Sequence, residues 1–137
     1  MNRRDFLTLT AAVTLVAPMA LAGPVVQYSA ELLAGELAAG NTVFLDFKAV
    51  WCTTCQAQGR VIDALKAANP AYEAKITFIN VDWDTWGEGD LVAQLNIPRR
   101  STLVVLKGDR ELGRIVAGTA RSEIKALMDL ALQAAVT

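Results

Sequence analysis

Apolar residues along this chain fall into two alternating patterns. Dense runs the length of a strand buried on both faces occupy "TVFLDF" (42–47) and "KITFINVD" (75–82). Between and around them lie segments with helical spacing and helix punctuation. "SAELLAGELAAG" (29–40) opens on Ser29 as an N-cap and closes on Gly40. A second helix is predicted from the cysteines at 52 and 55 to about Ala68, where Asn69-Pro70 stops it. "VVQY" (25–28) reads as a short first strand, and "WDTWGEGDLVAQLNI" (83–97) as a loop with a short helix. "TLVVLKGDRELGRIV" (102–116) reads as a hairpin turning at Gly108-Asp109, and "ARSEIKALMDLALQAAV" (120–136) as a closing amphipathic helix. The order βαβαβαββα predicts one α/β domain. Its central sheet is mixed, with parallel central strands and a final antiparallel hairpin, and helices flank it.

The first 22 residues stand outside that domain. "MNRRDFLTLTAAVTLVAPMALA" has a basic start (Arg3, Arg4), an apolar run from Leu7 to Ala22 and a small-residue ending, Ala20-Leu21-Ala22. This is the make-up of an export signal cleaved after Ala22, leaving residues 23–137 as the mature domain. Arg3-Arg4-Asp5-Phe6-Leu7 resembles the twin-arginine consensus, while Asn2 and Thr8 depart from its flanks. The alternative is an uncleaved membrane anchor. The run is shorter than the roughly 20 residues a spanning helix needs, and Thr8, Thr10, Thr14 and Pro18 dilute it.

Composition narrows the function. The 137 residues are 53% hydrophobic and carry a net charge of −1, with acids and bases interspersed, so no basic footprint for nucleic acid exists. The chain has no histidine, which removes the commonest general base and metal ligand and the Cys/His nucleophilic pair.

The chemistry therefore concentrates in "AVWCTTCQAQ" (49–58), which holds the only two cysteines, Cys52 and Cys55. As a structural staple, a disulfide between them closes too small a loop to restrain the unfolded chain much. As a metal site, one chain supplies two thiolates where about four ligands are needed. A redox couple needs a strand that delivers the first cysteine to a helix N-terminus, where unpaired N–H groups and the helix dipole stabilise a thiolate. The predicted strand 42–47 followed by a helix at the cysteines meets that requirement.

"VFLDFKAVWCTTCQ" resembles the active-site segment of the thioredoxin superfamily, and "ITFINVD", "STLVVLKGDRELGRIVAG" and the terminal helix follow at that family's spacing. The resemblance implies roles for matching residues. Cys52 is the exposed nucleophile and Cys55 the less exposed resolving thiol; Trp51 shields the site; Asp46 is the buried acid that deprotonates the resolving cysteine. Two positions depart from the family pattern. Phe78 occupies the slot of the family's partner lysine, and Ser101 replaces the cis-proline before the strand that opens at Thr102, since Pro98 lies too early. Without proline the Arg100–Ser101 bond is expected to be trans, bringing the Ser101 hydroxyl and Arg100 within reach of Cys52. Arg99 or Arg100 is expected to lower the pKa of Cys52 or to select acidic substrates.

Taken together, the expected function is that of a periplasmic reductase of protein disulfides. No cofactor is expected beyond the redox-active Cys52–Cys55 disulfide, and the chain is expected to be a monomer. Thr53-Thr54 add no cation between the cysteines, which suggests a potential of roughly −200 to −270 mV rather than the oxidising extreme of about −120 mV. A membrane thiol-electron transporter is the expected donor. A thiol oxidase or isomerase, and a dimer sharing a metal or cluster through the cysteines, are the alternatives.

Overall fold

Seven consecutive residues from Thr42 to Lys48 form the central strand, and the first six are fully buried because sheet neighbours flank both edges and helices cover both faces. The computed structural model describes residues 25–137, so the expected export signal of residues 1–22 lies outside the described residues. The elements in order are β1 (Val26–Gln27), α1 (Ala30–Ala38), β2 (Thr42–Lys48), α2 (Thr53–Ala68), α3 (Ala71–Lys75), β3 (Ile76–Asp82), α4 (Trp83–Trp86), α5 (Asp90–Leu95), β4 (Thr102–Lys107), β5 (Arg110–Val116) and α6 (Arg121–Ala135). The strands make one five-stranded sheet in the order β1-β3-β2-β4-β5. β3 runs parallel to both β1 and β2, whereas β4 is antiparallel to β2 and to β5. The expected mixed α/β sheet is therefore present.

Strand alternation divides the core into two layers. Phe44 and Phe78 face α2, α3 and α6, packing with Ile62, Leu65, Ile124 and Met128. Val43, Leu45 and Phe47 face the other way, against Leu33, Leu91 and the half-buried Trp83 and Trp86. Asp46 shares its parity with Phe44, so its carboxyl enters the first layer.

Local signals explain the element ends. Ser29 Oγ accepts the Leu32 N–H at 3.1 Å, capping α1, and Gly40 takes φ +81° just beyond it. Gly108, at φ +60°, supplies the left-handed residue of the β4–β5 turn. The structure departs from the expected pattern in two places. Pro70 opens a further short helix, α3, tied to α6 by the Tyr72 hydroxyl donating to Asp129. Residues 83–97 hold two short helices rather than one, with Asn96 in the left-handed region at the end of α5. Among the described residues no helix is long and apolar enough to cross a membrane.

Candidate active site

The strand β2 ends at Lys48, and Ala49-Val50-Trp51 turn the chain so that Cys52 caps α2. Its backbone is extended (φ −87°, ψ 112°), and its Sγ accepts the Cys55 N–H at 3.2 Å. A sulfur thus takes the place of the usual cap oxygen. No acidic side chain sits in the first turn of α2 to compete for the partial positive charge there.

Ser101 completes the arrangement. Its Oγ lies 3.1 Å from Cys52 Sγ and 3.2 Å from Cys55 Sγ, so one hydroxyl contacts both sulfurs. The residue is fully buried and adopts φ +64°, a conformation that costs a non-glycine residue about 1–2 kcal/mol. Its backbone groups are all engaged: the N–H donates to the Phe47 carbonyl at 2.7 Å, and the carbonyl accepts from the Ala117 N–H at 2.9 Å and from Gln58 Nε2 at 2.9 Å. Thr102 Oγ1 donates to the Arg99 carbonyl at 2.7 Å and closes the loop before β4. Among the described residues there is no cis peptide bond, so Arg100–Ser101 is trans. Pro98 is exposed in the preceding turn, and Ser101, not Pro98, faces the cysteines.

Both cysteines are free thiols. The expectation of an exposed Cys52 is corrected: it is 2% exposed and Cys55 1%. Ala49, the partly buried Trp83 and the Ser101 hydroxyl pack against the two cysteines, so an incoming disulfide must displace part of that cover. Trp51 does not form it. Its ring is 55% exposed and is held as a rim, with the indole N–H donating to both carboxylate oxygens of Asp84 at 3.0 Å and the Arg100 guanidinium stacked over it at 4.5 Å.

The surroundings separate the two thiols electrically. Burial pushes the Cys52 thiol up, but its contacts with Cys55, the Ser101 hydroxyl, the Cys55 N–H and Arg100 outweigh burial and bring it down to about 7. Burial pushes Cys55 up, and the negative charge gathering on Cys52 adds to that. One thiol is thereby readied as a thiolate while the other keeps its proton.

Asp46 lies in the first core layer, with one carboxylate oxygen buried and without a hydrogen-bond partner among the described residues. Burial pushes its carboxyl up to about 6, against the opposing pull of Lys48 and Lys66. These residues, with Asp63, line a cavity of about 60 Å³, large enough for water. Phe78 lies on β3 and lines the same cavity. A buried cation reaches it from α2: Lys66 Nζ lies 4.0 Å above the Phe78 ring and 3.6 Å from Glu73.

Four contributors were not anticipated: Gln58, Lys66, Trp83 and Asp84. Gln58 alone had a signal, since it interrupts the otherwise apolar stripe Cys55, Ile62, Leu65 of α2. The other three depend on which elements the tertiary fold brings together.

A capped, charge-separated thiol pair on a mixed α/β sheet defines a dithiol–disulfide redox protein. No group of three or more metal-ligating side chains exists among the described residues. The family model "Thioredoxin" matches residues 25–130, and the chain belongs to the thioredoxin family. Thioredoxin H5 of rice (Oryza sativa subsp. japonica) is 33% identical over 79 residues, 58% of this chain and 54% of that protein, so the chain spans about half the length of this curated relative. Among solved structures, Trxlp from Edwardsiella tarda is 29% identical with a TM-score of 0.65, the match covering 77% of this chain and 96% of that one. The thioredoxin of Malassezia sympodialis superposes with a TM-score of 0.67 at 24% identity, covering 80% and 95% of the two chains, a likeness of fold.

Proposed function

We propose that this protein is a periplasmic thiol–disulfide oxidoreductase that reduces protein disulfides through Cys52 and Cys55. The observation that carries the reading is the Ser101 hydroxyl shared by both sulfurs at the start of α2. It can donate to whichever sulfur bears negative charge as the cycle proceeds. The Cys52 thiolate attacks a substrate disulfide, one substrate sulfur leaves as a thiolate, and a mixed disulfide remains. Cys55 then loses its proton toward the Asp46 side and attacks Cys52 Sγ, releasing the second substrate thiolate and leaving the Cys52–Cys55 disulfide. Two electrons pass to the substrate.

Because Thr53-Thr54 bring no cation to the pair, the potential falls in the reducing range, roughly −200 to −270 mV. A reductase outside the cytoplasm needs electrons from within it, and a membrane thiol-electron transporter supplies them. Residues 1–22, with their basic start and apolar run, support export. One chain holds both thiols and the hydroxyl between them, which suits a monomer.

The substrate range is narrow. In relatives, the backbone beside the cis-proline pairs with the substrate chain. Here the Ser101 N–H and carbonyl are already bonded within the protein, and the Arg100 carbonyl accepts from Arg99 Nε at 3.1 Å. Insulin-like model disulfides are therefore reduced weakly.

Trapping tests the reading. Cys55→Ala in the native host should hold substrates on Cys52 as mixed disulfides recoverable from the periplasmic fraction, whereas an absence of adducts there contradicts it. Equilibration with glutathione separates a reductase from an isomerase or oxidase, whose potentials are less negative, about −180 mV and about −120 mV.

A further inference from the structure

Gln58 is the one fully buried carboxamide on the face of α2 that carries Cys55. Its Nε2 donates to the Ser101 carbonyl at 2.9 Å and to the Gly118 carbonyl at 3.0 Å, while its Oε1 has no partner among the described residues. Two carbonyl acceptors demand the NH2 end of the amide, which fixes its orientation. Burying a glutamine with half its polar capacity unmet costs stability, and an apolar residue would suit this stripe of α2 better. The cost coincides with a second one, the left-handed backbone of Ser101.

The two costs have one geometric outcome. Gln58 ties α2 to the loop before β4 and to the segment after β5, where Ala117, itself at φ +62°, also donates to Ser101. Ser101 is thereby held by three backbone contacts, to Phe47, Ala117 and Gln58, and the only freedom left to it is its side-chain rotation. Its hydroxyl then points at the sulfurs.

We propose that Gln58 is a positioning residue of the thiol–disulfide reaction, pinning Ser101 so that its hydroxyl spans Cys52 and Cys55. The inference rests on the function proposed above. The ionisable groups in contact with Cys52 are Cys55 and Arg100, and neither is altered in the variants that test it.

Thiolate absorbance against pH in the reduced full chain supplies the test. Ser101→Ala removes the hydroxyl and raises the Cys52 midpoint by about one unit, because the thiolate loses a charge-assisted hydrogen bond that water replaces only in part. Gln58→Met keeps the volume and removes both donors. It is expected to raise the midpoint by at least about half as much, and the double variant Gln58→Met/Ser101→Ala to match Ser101→Ala alone, because Gln58 acts through the hydroxyl. A residue that serves stability alone would lower the unfolding midpoint and leave the titration in place. An unmoved titration in folded Gln58→Met, or a shift that adds in full to that of Ser101→Ala, overturns the proposal. Should Gln58→Met not fold, Gln58→Asn keeps the amide but shortens its reach; the same upward shift is expected, and an unmoved midpoint overturns the proposal equally. A wild-type Cys52 titrating above about 8.5, the value of a free thiol, would instead remove the nucleophile on which the proposed function depends.

Discussion

Cys52 and Asp46 lie on or just beyond the same strand, both out of water, and their surroundings move them in opposite directions. Cys52 comes down to about 7, while Asp46 rises to about 6. Burial pushes both upward, so the difference lies in what else each group meets. The sulfur receives the Cys55 N–H and shares the Ser101 hydroxyl. The carboxylate has one oxygen with no partner among the described residues, beside a small cavity, and lysines near it offset only part of the burial. Short-range donors outweigh desolvation at one site, and more diffuse charge fails to do so at the other. The outcome suits a division of labour, a nucleophile ionised near neutral pH and an acid that still exchanges protons there.

The largest effect should come from removing the sulfur that this environment serves. Cys52→Ser is expected to lower disulfide turnover by about a thousandfold or more, as read by reduction of a model disulfide. Cys55→Ala keeps the first attack and stops at the mixed disulfide, visible as a mass adduct on Cys52.

Asp46→Asn sharpens the other half of the comparison. In the unfolded chain this carboxyl titrates near 3.9, and in the folded protein near 6. Below about pH 4 both states hold the proton, and the acid exacts no penalty. Between about 4 and 6 the unfolded state releases its proton first, and above 6 the penalty is full, about 2–3 kcal/mol. Urea unfolding should therefore show Asp46→Asn more stable than wild type by about that much at pH 7 and indistinguishable from it near pH 3.5. Its resolution step should be slower than wild type while the initial attack by Cys52 is unchanged.

A comparable loss of stability, about 3 kcal/mol, is expected for Ser101→Pro. Proline fixes φ near −65° and has no N–H, whereas Ser101 sits at +64° with its N–H bonded to Phe47. Restoring the family's proline alone therefore does not restore the family's loop, and thermal unfolding measures the cost. Arg100→Ala should have the smallest effect, an upward shift of the Cys52 titration by about half a unit or less, because the half-buried guanidinium is the weakest of the groups that lower it.

The same contrast explains what the amino-acid pattern disclosed. The run from Thr42 to Phe47, the cap at Ser29, the stop at Asn69-Pro70 and the turn at Gly108 are local signals, and the elements they mark match the structure within a residue or two. The cysteine pair announced itself by spacing, and Ser101 by standing where proline was expected. What escaped notice depends on tertiary contact. Lys66 reaches the Asp46 cavity from α2 because Phe78 offers a ring to lie on, and Asp84 finds Trp51 only when α4 packs beside the site. The burial of Cys52 escaped for the same reason, since its cover comes from residues distant in sequence, Trp83 and Ser101.

Titration of the Cys52 thiolate by its ultraviolet absorbance, in reduced wild type and in Ser101→Ala side by side, tests the central claim most directly. A wild-type midpoint near 7 that rises by about one unit when the hydroxyl is removed is the predicted result. A wild-type midpoint above about 8.5, or one that Ser101→Ala leaves in place, would contradict it.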